Sequence, residues 1–174
     1  MEFTGLKTVP IQARGGKVRV EHFAKPHQAG ASVGGLIDSL PTILAADSLR
    51  AVVQAVIDAR EQNRAILWGL GGHVIKCGLA PILIDLMHRG YASGFVLNGA
   101  AAIHDFEIAI AGHTSEDVEA VLPDGSFGAA EETGRAMNEA IKDDAVGFGE
   151  ALGERLNNIA DPRFAGEVLA LAVE

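Results

Sequence analysis

The chain has 174 residues, a formal net charge of -9, 48% hydrophobic and 5% aromatic residues, and 21 glycines. That length suffices for one domain of ordinary size with its own core, and the hydrophobic content argues against disorder. The acidic balance, with no Lys/Arg cluster, argues against a nucleic-acid partner, which needs a basic face to displace counterions; a small anion is compatible, because backbone N–H groups can hold it without side-chain charge.

So few aromatics leave the core to Ala, Val, Ile and Leu, with tight backbone approaches at glycine. This composition suits an α/β protein whose strands are covered on both faces. Cys77 is the one cysteine, so there is no intrachain disulfide and no support for secretion. Residues 1–9 lack the apolar core of a signal peptide. No apolar run approaches the ~20 residues of a membrane helix. The longest candidate, 164–173, is broken by Gly166 and Glu167. The expectation is a cytoplasmic protein without a membrane partner.

Residues 1–35 read as an irregular N-terminal segment and residues 36–174 as a single α/β domain. Within the first, Pro10, Gly15, Gly16, Pro26 and Gly30 interrupt any element, a short strand is predicted at 17–20, and 23–35 is loop-like. A short amphipathic stretch at 36–44 is interrupted by Pro41. A helix is predicted over 48–62, capped by Asp47 or Ser48, with Leu49, Val52, Val53, Val56 and Ile57 at helical spacing.

The apolar run 65–68 reads as a buried strand, and Gly69, Gly71 and Gly72 as the turn after it. Gly78 and Pro81 mark a helix start, Ile82, Leu83, Leu86 and Met87 give its buried face, and Gly90 ends it. The run 94–97 is the next strand, stopped by Asn98-Gly99. Strand, helix and strand at this spacing predict a βαβ unit with parallel strands. Helices are then expected at 101–111, just after a cap at Thr114 or Ser115, at 129–142 and at 148–156. A turn is expected at 125–128 and a connection at 157–162. Only two or three good strands can be counted, few for a parallel sheet with this many helices. The apolar segment 164–173 runs straight into the terminus, and the expectation is that the chain stops before its sheet is complete.

In open parallel sheets, ligands bind outside the carboxyl ends of the strands. Here those ends are Gly69-Leu70-Gly71-Gly72-His73 and Asn98-Gly99-Ala100-Ala101. Small residues let a ligand approach the backbone, and helix N-termini favour a phosphate. The same glycines equally suit tight strand–helix packing. The dinucleotide fingerprint is not met, since Val74 stands at its third glycine and Asn98 replaces the acidic ribose ligand.

His104 is a candidate proton carrier or hydrogen-bond donor, and Asp105 or Glu107 a candidate partner for a cationic amine. Against that stands the reading of acids complementing a helix N-terminus and His104 as a polar edge residue. His73, His104, Asp105 and His113 have no metal-ligand spacing, and Cys77 has no CxxC partner, so no metal is predicted. Cys77 and Lys76 lie before a helix, where a thiolate would be stabilised; a buried inert cysteine is the competing reading. Ser32, Ser39 and Ser126 lack a nucleophile-elbow motif.

The stretch Leu67-Trp68-Gly69-Leu70-Gly71-Gly72-His73-Val74-Ile75-Lys76-Cys77-Gly78-Leu79 resembles the first NAD-binding loop of deoxyhypusine synthase. Gly72-His73 stands in place of a Ser-Asn pair, and Lys76-Cys77 where two serines are usual. Asn98-Gly99-Ala100-Ala101-Ala102-Ile103-His104-Asp105 resembles the family's Thr-Ala-Gly-Gly-Val-Glu-Glu-Asp segment. Asp105 matches directly, while Ile103 and His104 replace the two glutamates. Pro26-His27-Gln28-Ala29-Gly30 resembles a Gly-Phe-Gln-Ala-Thr stretch near the start of the family fold. The similarity covers residues 23–158, with its specific matches in 67–105.

This resemblance implies a divergent prokaryotic relative with a Rossmann-like parallel sheet and helices on both faces. It implies NAD as cofactor, held by Gly69, Gly71, Gly72, His73, Lys76, Cys77, Asn98, Gly99 and Ala100. It implies a homo-oligomer, a tetramer with sites at subunit interfaces, and an aminobutyl transfer from a polyamine-like amine through an imine on a catalytic lysine. None of Lys7, Lys17, Lys25, Lys76 or Lys142 matches that lysine. The alternatives are a non-catalytic nucleotide-binding module or half-enzyme needing a partner chain and, more distantly, a metal-assisted hydrolase using His73, His104 and Asp105.

Overall fold

The computed structural model describes residue 5 and residues 7–142 and 147–169. The chain forms two compact units, Met1–Asp58 and Ala59–Glu174.

In the first unit, single 3-10 turns at Ile11–Ala13 and Val20–His22 precede helix α1, Val33–Ser39, and helix α2, Leu44–Glu61, which crosses the boundary between the units. The strand predicted at 17–20 does not form. Alternating side chains cannot hold a strand whose backbone groups find no partner strand, and the described residues of this unit contain none. Helix α2 starts a turn before the predicted cap. The Ser48 hydroxyl, expected as an N-cap, donates back to the Leu44 carbonyl at 3.3 Å from inside the helix. Arg50 on α2 donates to the carbonyls of Ile37, Leu40 and Pro41, supplying partners that the end of α1 lacks.

The second unit holds strand β1, Leu67–Leu70, helices α3, Gly72–Lys76, and α4, Ala80–His88, strand β2, Gly94–Leu97, and helix α5, Gly99–Ala111. Helices α6, Val118–Val121, α7, Glu131–Lys142, and α8, Phe148–Ile159, follow, with 3-10 turns at Leu122–Asp124 and Pro162–Glu167. Strands β1 and β2 are parallel, with Leu67 opposite Gly94 and Leu70 opposite Leu97. The protein is therefore a mostly helical α/β structure with a small parallel sheet. Strand β2 has its predicted bounds, and β1 lies two residues further on than expected. Pairing with β2 fixes this register, and Gly69 consequently sits in the strand opposite Val96, not in the turn.

Helix α3 is one short turn that the sequence pattern did not reveal. It follows β1 after Gly71 alone, and Pro81 then opens α4 as predicted. Gly90, at φ +76, ends the region of α4. Helix α5 begins two residues earlier than predicted, because the Asn98 side chain caps it by accepting from the Ala101 amide at 2.9 Å. Asp117, not Thr114 or Ser115, caps α6. Helix α8 continues to Ile159, beyond its predicted end, so half of the expected connection 157–162 belongs to the helix. The apolar segment 164–173 is described as far as Leu169; residues 170–173 lie outside the described residues.

Helix α5 occupies the centre of this unit. Ala102, Phe106 and Ala109 on one side pack with Ala136, Leu152, Leu156 and Val168. Ala101 on the other packs with Ile75, Ala80, Leu83, Ile84 and Leu169. Small alanines let neighbouring helices approach closely, while Phe106 supplies the largest buried side chain. Among the described residues, no helix is long and apolar enough to cross a membrane.

Gly112 ends α5 in the left-handed conformation, at φ +73, with its amide donating to Ile108 at 2.9 Å. A Cβ there would collide with the Phe164 ring. Gly112→Ala should therefore cost at least about 1–2 kcal/mol in backbone strain, with the displacement of Phe164 added. The expected result is a melting midpoint several degrees lower; an unchanged midpoint would contradict this account of the helix end.

Candidate functional site

The residues singled out from the sequence separate in three dimensions. Gly72 packs α3 against α5: a Cβ built on it would lie 3.1 Å from both the Ala100 Cβ and the His104 Cδ2. Close helix–helix approach thus explains this glycine, the reading that competed with ligand binding. Gly71 caps α3 with extended backbone, and a Cβ there would meet the Asn98 amide at 3.8 Å, so the two strand ends are adjacent. His73 is exposed on α3.

Cys77 departs from both of its sequence readings. It is exposed, not buried. It lies at the C-cap of α3, its amide donating to the His73 carbonyl at 2.9 Å, while the Gly78 amide donates to that of Ile75. That is the negative end of a helix, which opposes a thiolate where a helix N-terminus would favour one.

Asp105 is also misplaced as an amine ligand. It is 1% exposed, and its carboxylate accepts the Leu169 amide at 3.0 Å. It holds the chain 64 residues downstream against α5. His73, His104 and Asp105 do not converge, and among the described residues no three His, Cys, Asp or Glu side chains are grouped as metal ligands. The metal-assisted hydrolase therefore has no site built from those three residues.

Lys76, Gly99 and His104, by contrast, share one cleft. It has a volume of about 570 Å³ and runs beside the N-terminal half of α5, within the range of small-molecule sites. Phe127, Met137 and Phe148 supply apolar surface, and Glu107, Glu116 and Asn138 polar groups. A second cleft of about 600 Å³ adjoins it; Glu107, Ser115, Glu116, Ala130 and Thr133 line both, and His113 lines the second alone. Asp105 lines neither.

A polar chain stands where the two clefts meet. The His104 Nδ1 lies 2.7 Å from the Thr114 hydroxyl. That hydroxyl donates to the Glu107 Oε2, and the Thr133 hydroxyl donates to the Glu107 Oε1 at 3.2 Å. His104 and Glu107 are one helical turn apart on α5, Nδ1 to Oε2 3.8 Å, and each side chain is about four-fifths buried, at 18% and 22% exposure. Glu116 reaches over to accept the Gly128 amide at 3.3 Å. Asp124 steadies the turn that carries Phe127: the Ser126 hydroxyl and amide both donate to its carboxylate and hold it below the usual carboxylate range.

Spacing on α5 pointed to His104 and Glu107. Spacing alone reads Thr114 as a helix cap and does not single out Thr133, because their shared partner, Glu107, lies 7 and 26 residues away along the chain. No local pattern encodes such contacts.

No protein-family model, no curated protein and no solved structure matches the chain.

The packing at Gly72 makes a direct prediction. Gly72→Ala should destabilise the fold by about 1–3 kcal/mol through overpacking against Ala100 and His104. Urea unfolding should show a lower midpoint with an unchanged slope; an unaltered midpoint would show that the α3–α5 contact has slack.

Proposed function

We propose that this chain is a deoxyhypusine synthase-like, NAD-binding protein with a Rossmann-like fold, related to the NAD-dependent aminobutyl transferases that act on polyamine-like amines. The observation that carries the reading is the convergence of Lys76, Gly99 and His104 on one cleft. They come from the two segments whose residues resemble that family. The parallel pairing of β1 and β2 supports it further, since ligands of such sheets lie beyond the strand carboxyl ends.

The residues present suit a dinucleotide. Gly99 is the first residue of α5, a helix of 13 residues, and a Cβ added to it would meet nothing within 4 Å. A phosphate can therefore approach the backbone. With Asn98 capping the Ala101 amide, the amides of Gly99 and Ala100 have no carbonyl one turn earlier in the helix to bond. Lys76 adds a positive charge at the same cleft. Gly69, held in β1, and Gly72, filled by packing, take no part in this arrangement. When bound, NAD supplies a hydride acceptor. Lys76 and the Gly99 backbone would hold its phosphates, and His104 would accept or hold a proton beside it.

A second reading, a cofactor-binding module without turnover on its own, is favoured by Asp105. The one acidic residue that matches the family segment directly is buried against the Leu169 amide.

Calorimetric titration tests the first claim. NAD should bind the folded protein at sub-millimolar concentration, and Lys76→Ala should weaken binding about tenfold, the size expected for one charge-assisted contact. No binding at millimolar NAD would overturn both readings. A single-turnover reaction with spermidine and NAD separates them: release of diaminopropane supports the transferase, and NAD binding without release supports the module.

A further inference from the structure

The hydrogen-bond chain at the meeting of the two clefts has a direction that its donors and acceptors fix. Glu107, as a carboxylate, only accepts, and it takes one hydroxyl proton on each oxygen, from Thr114 and from Thr133. A threonine hydroxyl has one proton. Thr114 gives its proton to Glu107, so at its contact with His104, 2.7 Å long, the Thr114 oxygen can only accept. The proton of that bond must then sit on the His104 Nδ1. A neutral imidazole carries one N–H, so Nε2 is left with its lone pair, and it makes no hydrogen bond among the described residues.

We propose that Glu107 and Thr114 are positioning residues that lock neutral His104 as the Nδ1–H tautomer and present Nε2 to the cleft as a hydrogen-bond acceptor for a ligand N–H or O–H. The geometry also suits the protonated form. When Nε2 takes a proton from such a ligand, Nδ1 keeps its bond to Thr114 and the imidazolium faces the Glu107 carboxylate at 3.8 Å. The other charged groups lining the cleft are Lys76 and Glu116. The absence of a side chain at Gly72 leaves room for the ring, since a Cβ there would stand 3.1 Å from Cδ2. The ring is thus fixed at Nδ1 by hydrogen bonding, which leaves Nε2 for chemistry. The ligand that meets Nε2 rests on the function proposed above; the tautomer belongs to the chain alone and is testable without any ligand.

Nitrogen-15 NMR of the imidazole rings, at about pH 8.5 and so above the ordinary histidine range near 6.5, reads the tautomer directly. The His104 signals are assigned by their loss in His104→Gln. The full chain should show His104 with a protonated Nδ1 and an unprotonated Nε2. Glu107→Ala frees the Thr114 proton to point at Nδ1, and the major tautomer should switch to Nε2–H. Thr114→Val should also release the ring from the Nδ1–H form, and Thr114→Ser should restore it. A wild-type His104 in the Nε2–H form overturns the proposal whatever the variants do, as does a Glu107→Ala ring that stays Nδ1–H. Loss of NAD binding with the Nδ1–H tautomer intact would count against the proposed cofactor and leave the positioning role standing.

Discussion

Burial of helix α5 is the constraint from which the second unit is built. Ala101, Ala102, Phe106 and Ala109 are almost wholly inaccessible, so the helix must be covered on two sides at once. Helices α7 and α8 with Val168 supply one cover, and Ile75 of α3 with α4 and Leu169 the other. A buried carboxylate in such a helix is costly unless it is hydrogen-bonded. Asp105 meets that requirement with the Leu169 amide, and in doing so fixes the downstream chain beside the helix. The apolar cover and the polar anchor are therefore one arrangement.

The same burial determines where chemistry is possible. Residues of α5 that face the core, Asp105 among them, are unavailable to a ligand. Those one step around the helix, His104 and Glu107, lie at its edge, where the two clefts meet. His104 and Asp105 are neighbours in sequence, yet one serves the cleft and the other the core. Similarity to a family segment does not distinguish them, because it records residue type and spacing and not which side of a helix is covered.

Much of the local structure was legible. Apolar runs bounded by glycine located β1 and β2 and their parallel relation, because a βαβ spacing leaves few alternatives. Pro81 at the start of α4 is a backbone signal of the most readable kind. The failures have common physical causes. The alternating residues 17–20 resemble a strand, but a strand is stable only with a partner. Gly69, Gly71 and Gly72 resemble one phosphate loop, but register puts the first in β1 and close packing fills the space above the third. Thr114 resembles a cap, but a carboxylate seven residues earlier claims its proton. In each case a long-range or tertiary contact overrides a sound local preference.

The central claim is that NAD binds in the cleft beside the start of α5. The most direct measurement is the change in backbone amide NMR signals as NAD is added to nitrogen-15-labelled protein. The account predicts that Lys76, Gly99, Ala100 and His104 shift together and saturate at one affinity, while Arg64 and Ser93, which line neither cleft, stay unmoved. Saturable shifts confined to other surfaces, or no shifts at millimolar NAD, would contradict it.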